Sequence, residues 1–281
     1  MLLDLFLLEM QTHYCGNPFY VTGNAIAHAV RLNKEMTKEQ KDQLSVSHGI
    51  FKTFPRSAGY TPGPPTEYEE FFETWRTPRT SSPDLIVPEL QCYYQPRSPT
   101  PYVLMSPVRY EGKKTPEKEQ SEIPTFISFY IIGLGDMDPN IFDGIQVGGK
   151  RNMGMGKTTL RHHVRTNTSE WKGIPSEGEL GVEFITPMCL ESTFPGCDAV
   201  EFPEFLNPHI SGRFRTREEL LTIHSTSVKL KLLDSGQAFG LKKEFSQPPK
   251  LQKIIENGIE RIGVHRKYGY GEYKVFAFAH Q

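Results

Sequence analysis

Two stretches of the chain combine glycine with positive charge at a spacing suited to phosphate. The first is Gly148-Gly149-Lys150-Arg151-Asn152-Met153-Gly154-Met155-Gly156-Lys157, with four glycines and three cations in ten residues. The second is Ile262-Gly263-Val264-His265-Arg266-Lys267-Tyr268-Gly269-Tyr270-Gly271. Each has a leading glycine, an adjacent basic pair and then Gly-x-Gly. Glycine admits positive φ and lets a second backbone come close. Cations beside such a turn attract phosphate, and its exposed N–H groups can cradle it. Gly149, Lys150, Arg151, Gly154, Gly156 and Lys157 are therefore the first set of candidate phosphate-backbone ligands. His265, Arg266, Lys267, Gly269, Tyr270 and Gly271 are the second. Arg161 joins the first set because Thr159, Arg161, His163 and Arg165 alternate with Leu160, His162 and Val164, as on a strand with one basic face. Tyr268 and Tyr270 have rings that can stack on bases or pack onto a sheet.

The first loop also ends Gly156-Lys157-Thr158, which imitates a P-loop. That motif needs a glycine five positions before its second glycine, and Arg151 stands there. A strand rather than a helix is expected to follow. A P-loop NTPase using Lys157 is therefore the third-ranked reading.

The elements around these loops come in the same order twice. Residues 2–10 read as a buried strand, with a turn at Cys15-Gly16-Asn17-Pro18. A helix from Ala25 to about Leu32 follows, capped by Thr22 or Asn24, then a charged helix over Lys34–Gln43. Phe126–Ile132 reads as a strand and precedes the first loop. In the second half, Gly181–Pro187 and Ser225–Leu233 read as strands, Arg217–Ile223 as a short helix, and Leu251–Ile259 as a longer one. Tyr273–Ala279 reads as the closing strand. The expected fold is α+β: two ferredoxin-like (RRM-like) βαββαβ domains, 1–170 and 171–281. The first carries a Pro- and aromatic-rich insertion at about 54–124. Trp75, Tyr93 and Tyr94 in that arm are further stacking candidates, and Lys113–Glu122 reads as a polar, mobile loop.

Composition bounds the function. The chain has 281 residues, 37% hydrophobic and 23% charged, with a formal net charge of -1. That excludes a uniformly basic nucleic-acid binder, so a nucleic-acid site must be a local patch. The four cysteines, Cys15, Cys92, Cys189 and Cys197, show no C-x-x-C spacing, which argues against a zinc ribbon. Reduced thiols and a cytoplasmic location are expected. No apolar run approaches membrane-spanning length. No metal and no cofactor are expected.

The two loops resemble the basic-x-x-Gly-x-Gly signature of the RAMP superfamily of CRISPR effector proteins. Gly149–Gly156 and Gly263–Gly271 carry that resemblance, and Phe184-Ile185-Thr186-Pro187 looks like the opening strand of a second such domain. The resemblance implies ferredoxin-like domains, CRISPR RNA as ligand and other effector-complex subunits as partners. Two roles within the superfamily compete. One is the subunit that holds the 5′ handle of the CRISPR RNA, with the 54–124 arm as a thumb-like insertion. The other is the metal-independent endoribonuclease that cuts the repeat RNA. It would draw on His28, His48 and Lys52, although a clear Tyr-His-Lys constellation is missing. The expected function is the handle-binding subunit, with no catalytic residues.

Overall fold

The computed structural model describes residues 2–17, 20–33, 36–53, 103–111, 121–167, 179–207, 215–223, 226–247 and 249–278. The chain divides into two compact units, Met1–Ser169 and Glu170–Gln281.

In the first unit, β1 (Leu2–Met10) is apolar almost throughout and buried on both faces, which is why it reads as a continuous hydrophobic run. It is followed by β2 (Tyr14–Gly16), β3 (Tyr20–Val21), α1 (Gly23–Asn33), α2 (Lys38–Gln43), β4 (Ser45–Val46) and β5 (Gly49–Thr53). Thr22 Oγ1 accepts from the Ala25 N–H at 3.2 Å and starts α1. Ile26, Ala29 and Val30 recur at helical spacing and bury against Phe6, Leu8, Ile127 and Phe129. Then come β6 (Val103–Met105), β7 (Val108–Glu111), β8 (Ser121–Ile132) and, after the first glycine loop, β9 (Thr158–Asn167).

The sheet order is β3-β5-β8-β1-β9, with β4 also on β8, and all its pairings are antiparallel. Taking β1, β5, β8 and β9 as first to fourth strands, this is the order of a βαββαβ sheet. α1 occupies the first helix position. The second is taken by 3-10 turns at Pro139–Phe142 and Arg151–Met153.

Within the insertion, β6 pairs with β2, and β7 with β8. One expectation needs correction: β8 begins at Ser121, inside the stretch expected to be a polar loop. Trp75, Cys92, Tyr93 and Tyr94 lie outside the described residues.

The second unit repeats the plan with the other helix kept. Its strands are β10 (Leu180–Phe184), β11 (Met188–Ser192), β12 (Leu206–Asn207), β13 (Thr216–Ile223), β14 (Thr226–Leu233) and β15 (Ala238–Leu241). α3 (Lys250–Glu260), the second glycine loop and β16 (Tyr273–Ala277) complete it. The order β12-β15-β10-β16 is again second, third, first, fourth. α3 buries Leu251 and Ile254 against Val182, Phe184, Phe239 and Tyr273.

No helix spans 185–205; instead β11 joins a β13–β14 hairpin in a separate sheet. β13 is the segment expected to be a helix. Its inward residues Glu219, Leu221 and Ile223 are buried at a period of two, so cross-strand pairing with β14 overrides a short i, i+3 apolar pattern. Among the described residues, no helix is long and apolar enough to cross a membrane.

Candidate nucleic-acid interface

The glycine loops are conformational twins. Lys150 and His265 both sit in the left-handed region (φ 55° and 58°), each followed by one 3-10 turn. Gly154 and Gly269 close those turns at φ 78° and 94°. At the neck of the first loop, the Val147 N–H donates to the Gly156 carbonyl at 2.9 Å; the Ile262 N–H does the same to Gly271 at 3.0 Å. Gly149 N–H donates to the Cys15 carbonyl at 2.7 Å, and Val264 N–H to Cys189 at 2.9 Å. Gly156 N–H reaches the His13 carbonyl and Gly271 N–H that of Pro187, at 2.8 and 2.9 Å. Each loop is thus locked onto the chain just after the first strand of its own unit. The neck glycines are obligatory: a Cβ would lie 1.9 Å from the Val147 carbonyl oxygen at Gly156 and 1.7 Å from that of Ile262 at Gly271.

A side chain braces each loop from below. Gln146 Nε2 approaches the Arg151 and Met155 carbonyls at 3.5 and 3.4 Å. At the matching place in the second loop, Arg261 Nη1 donates to the Arg266 carbonyl at 3.1 Å. Arg261 also faces Glu272 at 3.5 Å, both side chains being wholly buried. Sequence reasoning passed over this pair of braces. The signal was present, since each lies one residue before the loop neck in the two copies.

The cations divide by environment. Lys150, Lys157, Arg266 and Lys267 are exposed. Arg151 is half-buried, and its Nη2 lies 3.2 Å from His28 Nδ1 on α1. A guanidinium can only donate, so Nδ1 is the acceptor and a neutral His28 carries its proton on Nε2.

Arg161 is paired with Glu9. His163 and Arg165 both meet Asp4, at 2.7 and 2.8 Å. The expected basic face of β9 is therefore compensated by the acids of β1, and Arg161 is not a free phosphate ligand. His48 is buried; its Nδ1 accepts from the Gly23 N–H at 3.2 Å and its ring stacks on Tyr20 at 4.5 Å. It holds the start of α1 and is closed to substrate. Lys52 is on β5 in register with Phe126; its side chain is outside the described residues.

Tyr270 is another correction. It is fully buried, its hydroxyl donating to Glu219 at 3.2 Å, and Tyr268 packs with it among Leu221, Val228 and Leu230. Neither ring offers a face to a base, because the β13–β14 hairpin covers them. Gly269 and Gly271 are buried with them, which leaves Arg266 and Lys267 as the accessible tip.

His265 Nε2 lies 2.7 Å from Ser192 Oγ, and burial, with Lys267 nearby, holds its imidazole below the ordinary value. Cys15, Cys189 and Cys197 are free thiols. Burial pushes Cys189 up to about 12, so it is not a nucleophile at neutral pH. Among the described residues no group of three His, Cys, Asp or Glu is arranged to hold a metal ion. The P-loop reading falls: Thr158 is buried, its Oγ1 donating to the Ile145 carbonyl at 3.0 Å, and the chain continues as β9 rather than a helix.

No protein-family profile and no curated protein match the sequence. Among the solved structures similar along almost all of it are two Cas6 product complexes. One is a Cas6 product complex, at 11% identity and a TM-score of 0.41, covering 99% of this chain and 100% of that chain. The other is a second Cas6 product complex, at 12% identity and a TM-score of 0.38, covering 98% of each.

Proposed function

We propose that this chain is an RNA-binding subunit of a CRISPR surveillance complex, holding the 5′ handle of the CRISPR RNA by its sugar-phosphate chain. The observation that carries the reading is the repeated loop: one backbone built twice, each copy with cations at its tip. Lys150 and Lys157 on the first loop, and Arg266 and Lys267 on the second, neutralise phosphates. Arg151, held by His28, contributes at the root of the first.

The test is fluorescence anisotropy with a single-stranded RNA carrying the repeat-derived handle. Lys150→Glu/Arg151→Glu should weaken binding about 100-fold at moderate salt. The slope of log affinity against log salt should also become shallower by about 1.4, roughly 0.7 per lost phosphate contact. Unchanged affinity would sink the reading.

The repeat-processing endoribonuclease is the second reading, and the placement of His28 beside Arg151 is what favours it. With Nδ1 occupied as an acceptor, His28 lacks the free lone pair of a general base, so binding ranks first. Incubation of repeat RNA with the protein and EDTA decides between them. We expect wild type to leave the RNA intact and His28→Ala to lower affinity about threefold, because Arg151 loses the hydrogen bond that positions it. Specific cleavage abolished by His28→Ala would establish the enzyme instead.

A further inference from the structure

We propose that the hollow between α1 and the first glycine loop seats one unstacked nucleobase of the bound strand; this rests on the RNA-binding reading above. The hollow encloses about 510 Å³ and is lined by Ala29, Leu32, Gln146, Lys150, Arg151 and Asn152. Its composition is divided. The helix side is apolar, and Leu32 keeps 63% of its surface in water there, an unusual place for a leucine near a charged loop. The loop side brings two carboxamides and two cations. A nucleotide needs this combination: an apolar platform for the ring, donors and acceptors for the base edge, and positive charge for the phosphate.

The second loop shows why the hollow belongs to the first. Among the described residues of the unit that carries it, no helix lies between β10 and β12, and a β hairpin covers the loop instead. Tyr268, the counterpart of Met153, is buried there, whereas Met153 is 67% exposed. The loop tips differ as well: Asn152 stands where the second loop has Lys267. A carboxamide that can pair with a base edge thus replaces a cation that can only meet phosphate. One loop is closed and grips the backbone. The other is open and also takes a base.

The experiment uses the full chain and a short single-stranded oligoadenylate with 2-aminopurine at successive positions. One position is expected to change fluorescence on binding apart from its neighbours. Leu32→Asp and Asn152→Ala should each remove that signal and weaken binding about tenfold, as loss of one base contact does. Asn152→Ala should leave the salt slope unchanged, because it removes no charge, whereas Leu32→Asp sets an anion beside Lys150 and Arg151 and should make the slope shallower. Both substitutions are at exposed positions, and a melting curve checks the fold. If Leu32→Asp melts early, Asn152→Ala carries the test alone. RNA bound with no position singled out, or variants indistinguishable from wild type, would overturn the pocket and leave the backbone grip standing. Failure of the wild type to bind the RNA would remove the RNA-binding reading itself, and the pocket with it.

Discussion

Gly156→Ala is expected to lower stability by roughly 4 kcal/mol in chemical denaturation, whereas Gly154→Ala, two residues away, costs about 1 kcal/mol. Both glycines have positive φ, 73° and 78°, so a methyl group strains both backbones alike. The difference is space. Around Gly154 a Cβ meets nothing within 4 Å, while at Gly156 it would stand 1.9 Å from the Val147 carbonyl oxygen. That oxygen cannot withdraw without opening the neck, where Val147 N–H donates to Gly156 and Gly156 N–H to His13. Gly271→Ala should reproduce the larger loss in the second unit, where the contact is 1.7 Å from the Ile262 oxygen. Equal, small effects at Gly154 and Gly156 would mean that the necks are not built as described.

Much of this was legible from residue types alone. The buried run of β1, the i, i+3, i+4 pattern of α1 and the paired Gly-x-Gly loops are local signals. What depended on distant partners was not legible. Thr159, Arg161, His163 and Arg165 alternate as a basic face, but the acids that compensate them, Asp4 and Glu9, stand on β1 far back in sequence. Tyr268 and Tyr270 look like stacking residues until the hairpin covers them. Glu219 is the hardest case. A carboxylate reads as solvent-facing, yet it is buried between the Tyr270 hydroxyl and Arg217, and without it the inward face of β13 has too few apolar positions to show a period of two. The tips were readable because they must stay in water; their supports were not, because a brace is recognised only once the thing it braces is in place.

The supports also separate the two loops energetically. Arg261→Met should destabilise the second unit by about 3–5 kcal/mol, since it takes the guanidinium away from the buried Glu272 carboxylate. It also takes the donor from the Arg266 carbonyl. Backbone strain does not explain away the effect. Arg261 has φ 75° and ψ 153°, a region costly for any residue but glycine, so Arg261→Gly relaxes the backbone while removing the same guanidinium from the carboxylate. It should still lose stability, by less than Arg261→Met. The double variant Arg261→Met/Glu272→Leu should recover much of the loss, because an apolar pair leaves no buried charge behind. Gln146→Met, at the matching place under the first loop, should cost only about 1 kcal/mol, its contacts being long and between neutral groups. A charged brace under the second loop and a neutral one under the first fit a fixed grip and a yielding one. Denaturation of these four variants and of Glu272→Leu decides the matter: losses of similar size at Gln146 and Arg261, or no coupling between Arg261 and Glu272, would show that both braces do the same modest job.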